Sequence, residues 1–193
     1  MAARGLGPPP AKRGWMVYPR RGWRRWFFRA PLYAWRMGLG WIFSKVFLVL
    51  TTTGRQSGQP RHTMLEFSLL DGNYYIGSGW GPRTDLMRNI ERDPRVTVQV
   101  QGRKFTALAR PVSDEPELLR FFNYARGRSP VWKAYLASLG IEDTPADFIA
   151  KKDRLTILRL DSGTEAGPHG LRADLVWVWL LVIAGLVVLF MRA

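Results

Sequence analysis

Between residues 46 and 112 the chain carries two pairs of strand-like runs, each pair separated by a turn too short to hold anything else. "RHTMLEFSLL" meets "NYYIGSG" at Asp71-Gly72, and "RVTVQVQ" meets "KFTALARPV" across "GR". A two-residue connection joins only antiparallel strands, because a parallel return needs a crossover of a dozen residues or more. "VFLVLTTT", residues 46–53, and "RLTILRL", residues 154–160, share the same apolar, β-rich character. Six strands with a few short helices predict an α+β barrel, not alternating βαβ units.

The helices read from their ends. "RTDLMRNIERDP" is a short one, with Thr84 or Asp85 as cap and Pro94 beyond its end. "SDEPELLRFFNYARG" has its acids in the first turn and Arg126 in the last, as the helix dipole prefers. "SPVWKAYLASLG" ends at Gly140.

Charge is distributed unevenly. The formal net charge is +14, and residues 1–45 hold ten Lys or Arg and no acid; the first acid is Glu66. A basic face favours phosphates in some form. No helix-turn-helix, zinc-finger or RNP-type signature is present, so nucleic acid is not the expected partner. The chain has no cysteine and two histidines without HExxH-type spacing, so neither thiol chemistry nor a protein metal site is expected.

Residues 1–14 are small, Pro-rich and basic, and are expected to be disordered. Residues 15–45 interleave Trp15, Trp23, Trp26, Trp35 and Trp41 with Arg20, Arg21, Arg24, Arg25, Arg29 and Arg36. Such a mixture suits a membrane surface, or a helix packing its aromatic face on the domain. Residues 46–160 form the barrel domain, and residues 161–173 read as a polar, Gly-rich linker. Within 174–193, the run 175–191 has no charge. Seventeen helical residues would rise about 26 Å, just spanning about 30 Å of hydrocarbon. The expectation is a single-pass anchor in the cell membrane, with the basic N-terminal side keeping the domain cytoplasmic.

Residues 50–67, "LTTTGRQSGQPRHTMLEF", place two glycines, a proline and two arginines in and beside a hairpin loop. Gly54 and Gly58 permit positive φ, consecutive N–H groups can converge on an anion, and Arg55, Arg61 and Ser57 add charge and a hydroxyl. Walker spacing is absent. A second cluster, "GSGWG" at 77–81, leaves room for something flat to approach the backbone, with Trp80 available to cover a ring.

These two stretches, joined to "DGNYYIGSGWGPRTDLMRNIERDPRVTVQV", resemble the deazaflavin-dependent nitroreductase family. The likeness runs from about Pro31 to Leu160. It implies a split β-barrel of the flavin-reductase type and hydride transfer from a reduced deazaflavin, coenzyme F-420; FMN ranks second. By position, the resemblance puts phosphate and tail contacts at Arg55, Gln56 and Ser57. It puts the strand beside the deazaflavin at Arg61, His62, Thr63, Met64, Leu65 and Glu66, and the second loop at Gly77, Ser78, Gly79 and Trp80. The helix start facing the cofactor would be Asp85, Leu86, Met87, Arg88 and Asn89. Trp132 and Tyr135 match aromatics that wall the substrate pocket, and Tyr135 is the expected proton donor. Three departures stand out: Gln56 where many members have Lys, Glu66 in place of an aromatic, and Trp80 in place of a Lys. Nitro reduction as such therefore does not carry over. The expected acceptor is a lipophilic small molecule such as a quinone, enone or nitroaromatic, reached from membrane lipid; a homodimer is a further expectation. The competing reading is a non-catalytic split barrel that binds flavin, haem or lipid.

Overall fold

The computed structural model describes residues 30–78 and 84–192. The expectations for residues 1–29, Gly79 and Trp80 lie outside them. A π-helical turn, Trp35–Leu39, leads into α1 (Gly40–Phe43). The six expected strands form: β1 (Phe47–Thr53), β2 (Pro60–Leu70), β3 (Asn73–Gly77), β4 (Arg95–Val100), β5 (Arg103–Pro111) and β6 (Ile157–Ser162). They close into one barrel in the order β1-β2-β3-β6-β5-β4, with every neighbouring pair antiparallel. The closed barrel is the one expected from the strand pattern, and with its flanking helices it fits the split barrel that the resemblance implies.

Both short turns have positive φ at two successive residues, which matches the twist of the strands they join. Asp71 and Gly72 supply φ 51° and 77°. The second turn falls one residue earlier than expected, at Gln101 (φ 49°) and Gly102 (φ 74°). Gly102 thus takes the second turn position, and Arg103 is left free to start β5.

Alternation along the strands sends Leu48, Leu50, Tyr74, Ile76, Val96, Val98, Val100, Leu158 and Leu160 into the barrel core. The helix α2 (Asp85–Arg92) begins where Thr84 Oγ1 accepts the Met87 N–H at 3.2 Å, and it adds Met87 and Ile90 to that core. A second apolar cluster lies on the outer face of β3 and β6. There α3 (Glu115–Ala125), α4 (Trp132–Leu139) and α5 (Pro145–Ala150) gather Leu118, Phe121, Phe122, Trp132, Leu136 and Phe148 against Tyr75 and Ile157. Gly140 ends α4 in the left-handed region, φ 66°, as its sequence position indicates.

The C-terminal portion departs from expectation twice. Residues 163–174 are no free linker; they lie along β4 and β5. Thr97 Oγ1 donates to the Pro168 carbonyl at 2.5 Å, and the Gln99 side chain exchanges two hydrogen bonds with the Leu171 backbone, at 3.0 and 2.6 Å. Arg36 then grips Asp174 with two bonds of 2.7 Å. The apolar run that follows is helical only over α6 (Val178–Arg192), 15 residues or about 22 Å. Among the described residues no helix is long and apolar enough to cross a membrane. The expected span is cut short because residues 174–177 are spent on turns that dock the run, with Trp179 Nε1 donating to the Met37 carbonyl at 2.9 Å. Past that point α6 buries nothing: Leu180 is 70% exposed and Phe190 86%.

Candidate functional site

The β1–β2 loop, residues 54–59, is one helical turn stopped by a glycine. The Gly58 N–H donates to the Gly54 carbonyl at 2.8 Å, and Gly54 N–H closes the loop on Gln59 at 2.9 Å. Only Gly58 has the positive φ (66°) expected of both glycines. Gly54 is required for another reason: a Cβ there would come within 3.0 Å of the Gln59 carbonyl oxygen and Ser57 Oγ.

This loop is tied to α2. The Arg55 N–H donates to Asn89 Oδ1 at 3.1 Å, and its guanidinium pairs with Asp85 at 2.8 Å. Asn89 is buried, and its amide also donates to Thr52 Oγ1 at 3.3 Å. Ser57 Oγ accepts from Arg61 at 3.2 Å. Arg55, Ser57, Arg61, Asp85 and Asn89, drawn from two distant stretches, therefore form one polar corner. Gln56 and Arg88 are exposed. Met87 and Leu86 turn to the barrel core instead, Met87 buried and Leu86 packed at its edge.

Beyond that corner, β2 divides its residues between its two faces. Leu65 points into the barrel core. His62, Met64 and Glu66 share the outer face, opposite Thr51, Val49 and Phe47 of β1. Thr63, half-buried, falls on the inner side with Leu65. Along the outer face lie two cavities of opposite chemistry.

The first, about 490 Å³, is lined by Leu32, Tyr33, Arg36, Pro60, Arg61, His62 and residues 170–172 and 174. Three arginines (Arg36, Arg61, Arg172) face it against one carboxylate, Asp174, which is bound to Arg36. His62 Nδ1 lies 3.0 Å from Thr51 Oγ1; burial, helped by the charge of Arg36, pushes its pKa below the ordinary histidine value. The cavity is thus cationic through arginine, and its donor set fits an anion.

The second cavity, about 230 Å³, lies between the outer face of β2 and β3 and helices α3 and α4. Phe47, Met64, Leu65, Phe67, Tyr75, Gly77, Phe121, Val131, Trp132 and Tyr135 make it apolar, with Glu66, Ser68 and Ser129 as its polar exceptions. The Trp132 indole donates to Asp143 at 2.9 Å, which fixes the ring, and its centroid stands 6.1 Å from that of Tyr135. Tyr135 packs on Gly77, where a Cβ would meet its ring at 3.3 Å. Its hydroxyl accepts the Thr156 N–H at 3.4 Å, and burial pushes its pKa up to about 12. Ser78 is buried beside it, N–H to the Thr156 carbonyl at 3.0 Å and carbonyl accepting from the Thr156 hydroxyl.

Several lining residues were not expected at the site from the sequence. Arg36, Arg172 and Asp174 come from the two ends of the chain, 138 residues apart in the Arg36–Asp174 pair, and only the folded strap brings them together. Ser129 and Val131 sit in the α3–α4 connection; their nearness to Trp132 in the sequence was the one clue.

A closed barrel with an arginine-rich cavity next to an apolar one offers one wall to an anion and another to a flat or apolar group. Comparison with known proteins narrows this. Residues 33–142 match the family described as F420H(2)-dependent quinone reductase, more than half of the chain. The chain belongs to that family: it is a deazaflavin-dependent oxidoreductase, and coenzyme F-420 is its cofactor. Among solved structures, an F420-H2 dependent reductase shares 21% identity over 61% of this chain and 95% of its own, with a TM-score of 0.46. A protein described as a domain-swapped dimer shares 20% over 72% and 97%, TM-score 0.48. A heme binding protein from Mycobacterium smegmatis shares 12% over 67% and 50%, TM-score 0.43. Likenesses this distant do not bear on activity.

Proposed function

We propose that this chain passes a hydride from reduced coenzyme F-420 to a lipophilic acceptor such as a quinone, enone or nitroaromatic, while attached to a membrane surface. The observation that carries the reading is the pairing of an arginine-lined cavity with an apolar one along a single strand face. His62 borders the first and Met64 the second, about 7 Å apart along β2. Arg36, Arg61 and Arg172 would hold the anionic part of the cofactor, with Arg55 and Ser57 at the adjoining corner. When bound, the deazaflavin supplies the hydride; the barrel wall orients it and keeps water out.

The acceptor would enter the apolar cavity between Trp132, Tyr135 and Met64. At about 230 Å³ it is smaller than most ligand pockets and admits one substituted ring. A long hydrocarbon tail on that ring would stay outside, in lipid. The exposed apolar surface of α6, with Arg192 at its end, supports insertion into a bilayer. The catalytic domain would then face the cytoplasm.

Anaerobic oxidation of the reduced cofactor against a panel of quinones, enones and nitroaromatics tests the activity. Turnover with at least one lipophilic acceptor is expected; none with any, or tighter binding of FMN than of F-420, overturns the reading. Flotation with anionic vesicles tests the attachment. The full chain should float, and a chain ending at Trp177 should float far less. If instead the full chain stays in solution as a dimer and the truncated one as a monomer, a second copy covers α6.

A further inference from the structure

Glu66 is out of place. It lies on the outer face of β2, opposite Phe47, and it is half-buried in a cavity otherwise walled by Met64, Phe121, Val131, Trp132 and Tyr135. We propose that Glu66 is the acid that protonates the reduced acceptor. The inference rests on the reading above that this cavity receives the acceptor.

The geometry supports it from every side. The group facing Glu66 from β1 is Phe47; β3 contributes Tyr75, α3 contributes Phe121 and Ala125, and α4 contributes Trp132 and Tyr135. Among the described residues no other charged side chain lines the cavity. The Tyr75 hydroxyl is committed to Glu117 at 2.8 Å. Ser129 shares the cavity wall with it and is the one polar group that favours the ionised Glu66 carboxyl. With no cation to stabilise its ionised form, burial raises the carboxyl's pKa, and the nearby Ser129 offsets this only in part. Tyr135, the donor expected from the sequence, is worse placed: its hydroxyl accepts a backbone N–H, and its pKa of about 12 makes it a reluctant acid.

For a quinone the step balances. Hydride addition leaves the acceptor as an anion with charge on oxygen. The Glu66 O–H bond breaks, its proton forms a new O–H bond on that oxygen, and the electron pair stays on the carboxylate. The carboxylate then regains a proton from solvent, which takes up the one released as the cofactor is oxidised.

The test compares the native chain with E66Q, E66D and Y135F. E66Q should lower kcat roughly 100-fold, within the span of general acid catalysis, while KM for the acceptor changes little. Native kcat should fall as pH rises through the Glu66 titration, and the E66Q profile should lose that limb. E66D should recover part of the rate. A native rate and profile in E66Q, or a loss confined to Y135F, overturns the proposal. A readout without cofactor runs beside it. In infrared difference spectra of the protein alone, a protonated-carboxyl band absent from E66Q should persist above the pH at which exposed glutamates ionise. If that band disappears together with theirs, the proposal fails. Absence of turnover by the native chain would instead sink the reading of the site, and the infrared band would then decide the state of Glu66 alone.

Discussion

Arg55 shows how much one residue is asked to do. Its backbone N–H holds Asn89, and its guanidinium is shared with Asp85, whose side chain is 84% exposed. A pair so open to water adds little to stability, about 0–1 kcal/mol. Its value is that the guanidinium is held ready at the corner beside the basic cavity. Arg55→Ala should therefore weaken cofactor binding by about 1–3 kcal/mol, read by fluorescence titration, with a small change in melting temperature. Asp85→Asn removes the competing carboxylate and should leave binding unchanged or tighter. If D85N weakens binding as much as R55A, the ion pair itself is what matters, and Arg55 acts only by positioning α2.

At the level of elements, α3 depends on a carboxylate in an unusual place. Glu117 sits in its first turn, where acids normally serve the helix dipole, yet it is buried and takes bonds from Tyr75 at 2.8 Å and Arg159 at 3.0 Å. Removing one partner of a buried pair typically costs about 3–5 kcal/mol. Arg159 is partly exposed and keeps Asp161 at 2.5 Å, so Glu117→Ala should cost less, about 1–3 kcal/mol from the unpaired Tyr75 hydroxyl, seen as a lower denaturation midpoint in urea. The elements also show what could be read in advance. Period-two runs and the Asp71-Gly72 turn disclosed the strands, since alternation and turn chemistry are local. The α2 cap at Thr84 and the Gly140 stop of α4 were legible for the same reason. The strap over β4 was not: "DSGTEAGPHGLRA" is polar and glycine-rich, and its bonds to Thr97 and Gln99 are pairings across some 70 residues. Likewise Met87, taken from the resemblance as a cofactor contact, turns into the barrel core, because a contiguous stretch of helix must give some of its residues to the core.

Across the whole molecule, charge sets the response to acid. Arg159 holds the Asp161 carboxyl below the ordinary aspartate value of 3.8, as Arg95 does for Asp93 and Lys151 for Asp147. A folded value below the unfolded one adds stability above the unfolded pKa and loses it as pH falls through the folded one. Stability should thus be level near neutrality and decline below about pH 4, in denaturant titrations across pH. Glu66 has the opposite sign: its raised value favours the fold at low pH and costs stability once it ionises. E66Q should accordingly gain on the native chain as pH rises. The grip of Arg36 on Asp174 has a consequence of its own. It ties the first described turn to the residues that enter α6, and the Trp179 indole, donating to the Met37 carbonyl, fastens the same two elements a second time. On the proposed attachment to a bilayer, the exposed Trp41 and Ile42 of α1 and the exposed apolar side chains of α6 would act as a bivalent foothold, the second landing at a high effective concentration once the first has caught. Cutting that tether should loosen adhesion far more than the loss of a single ion pair suggests.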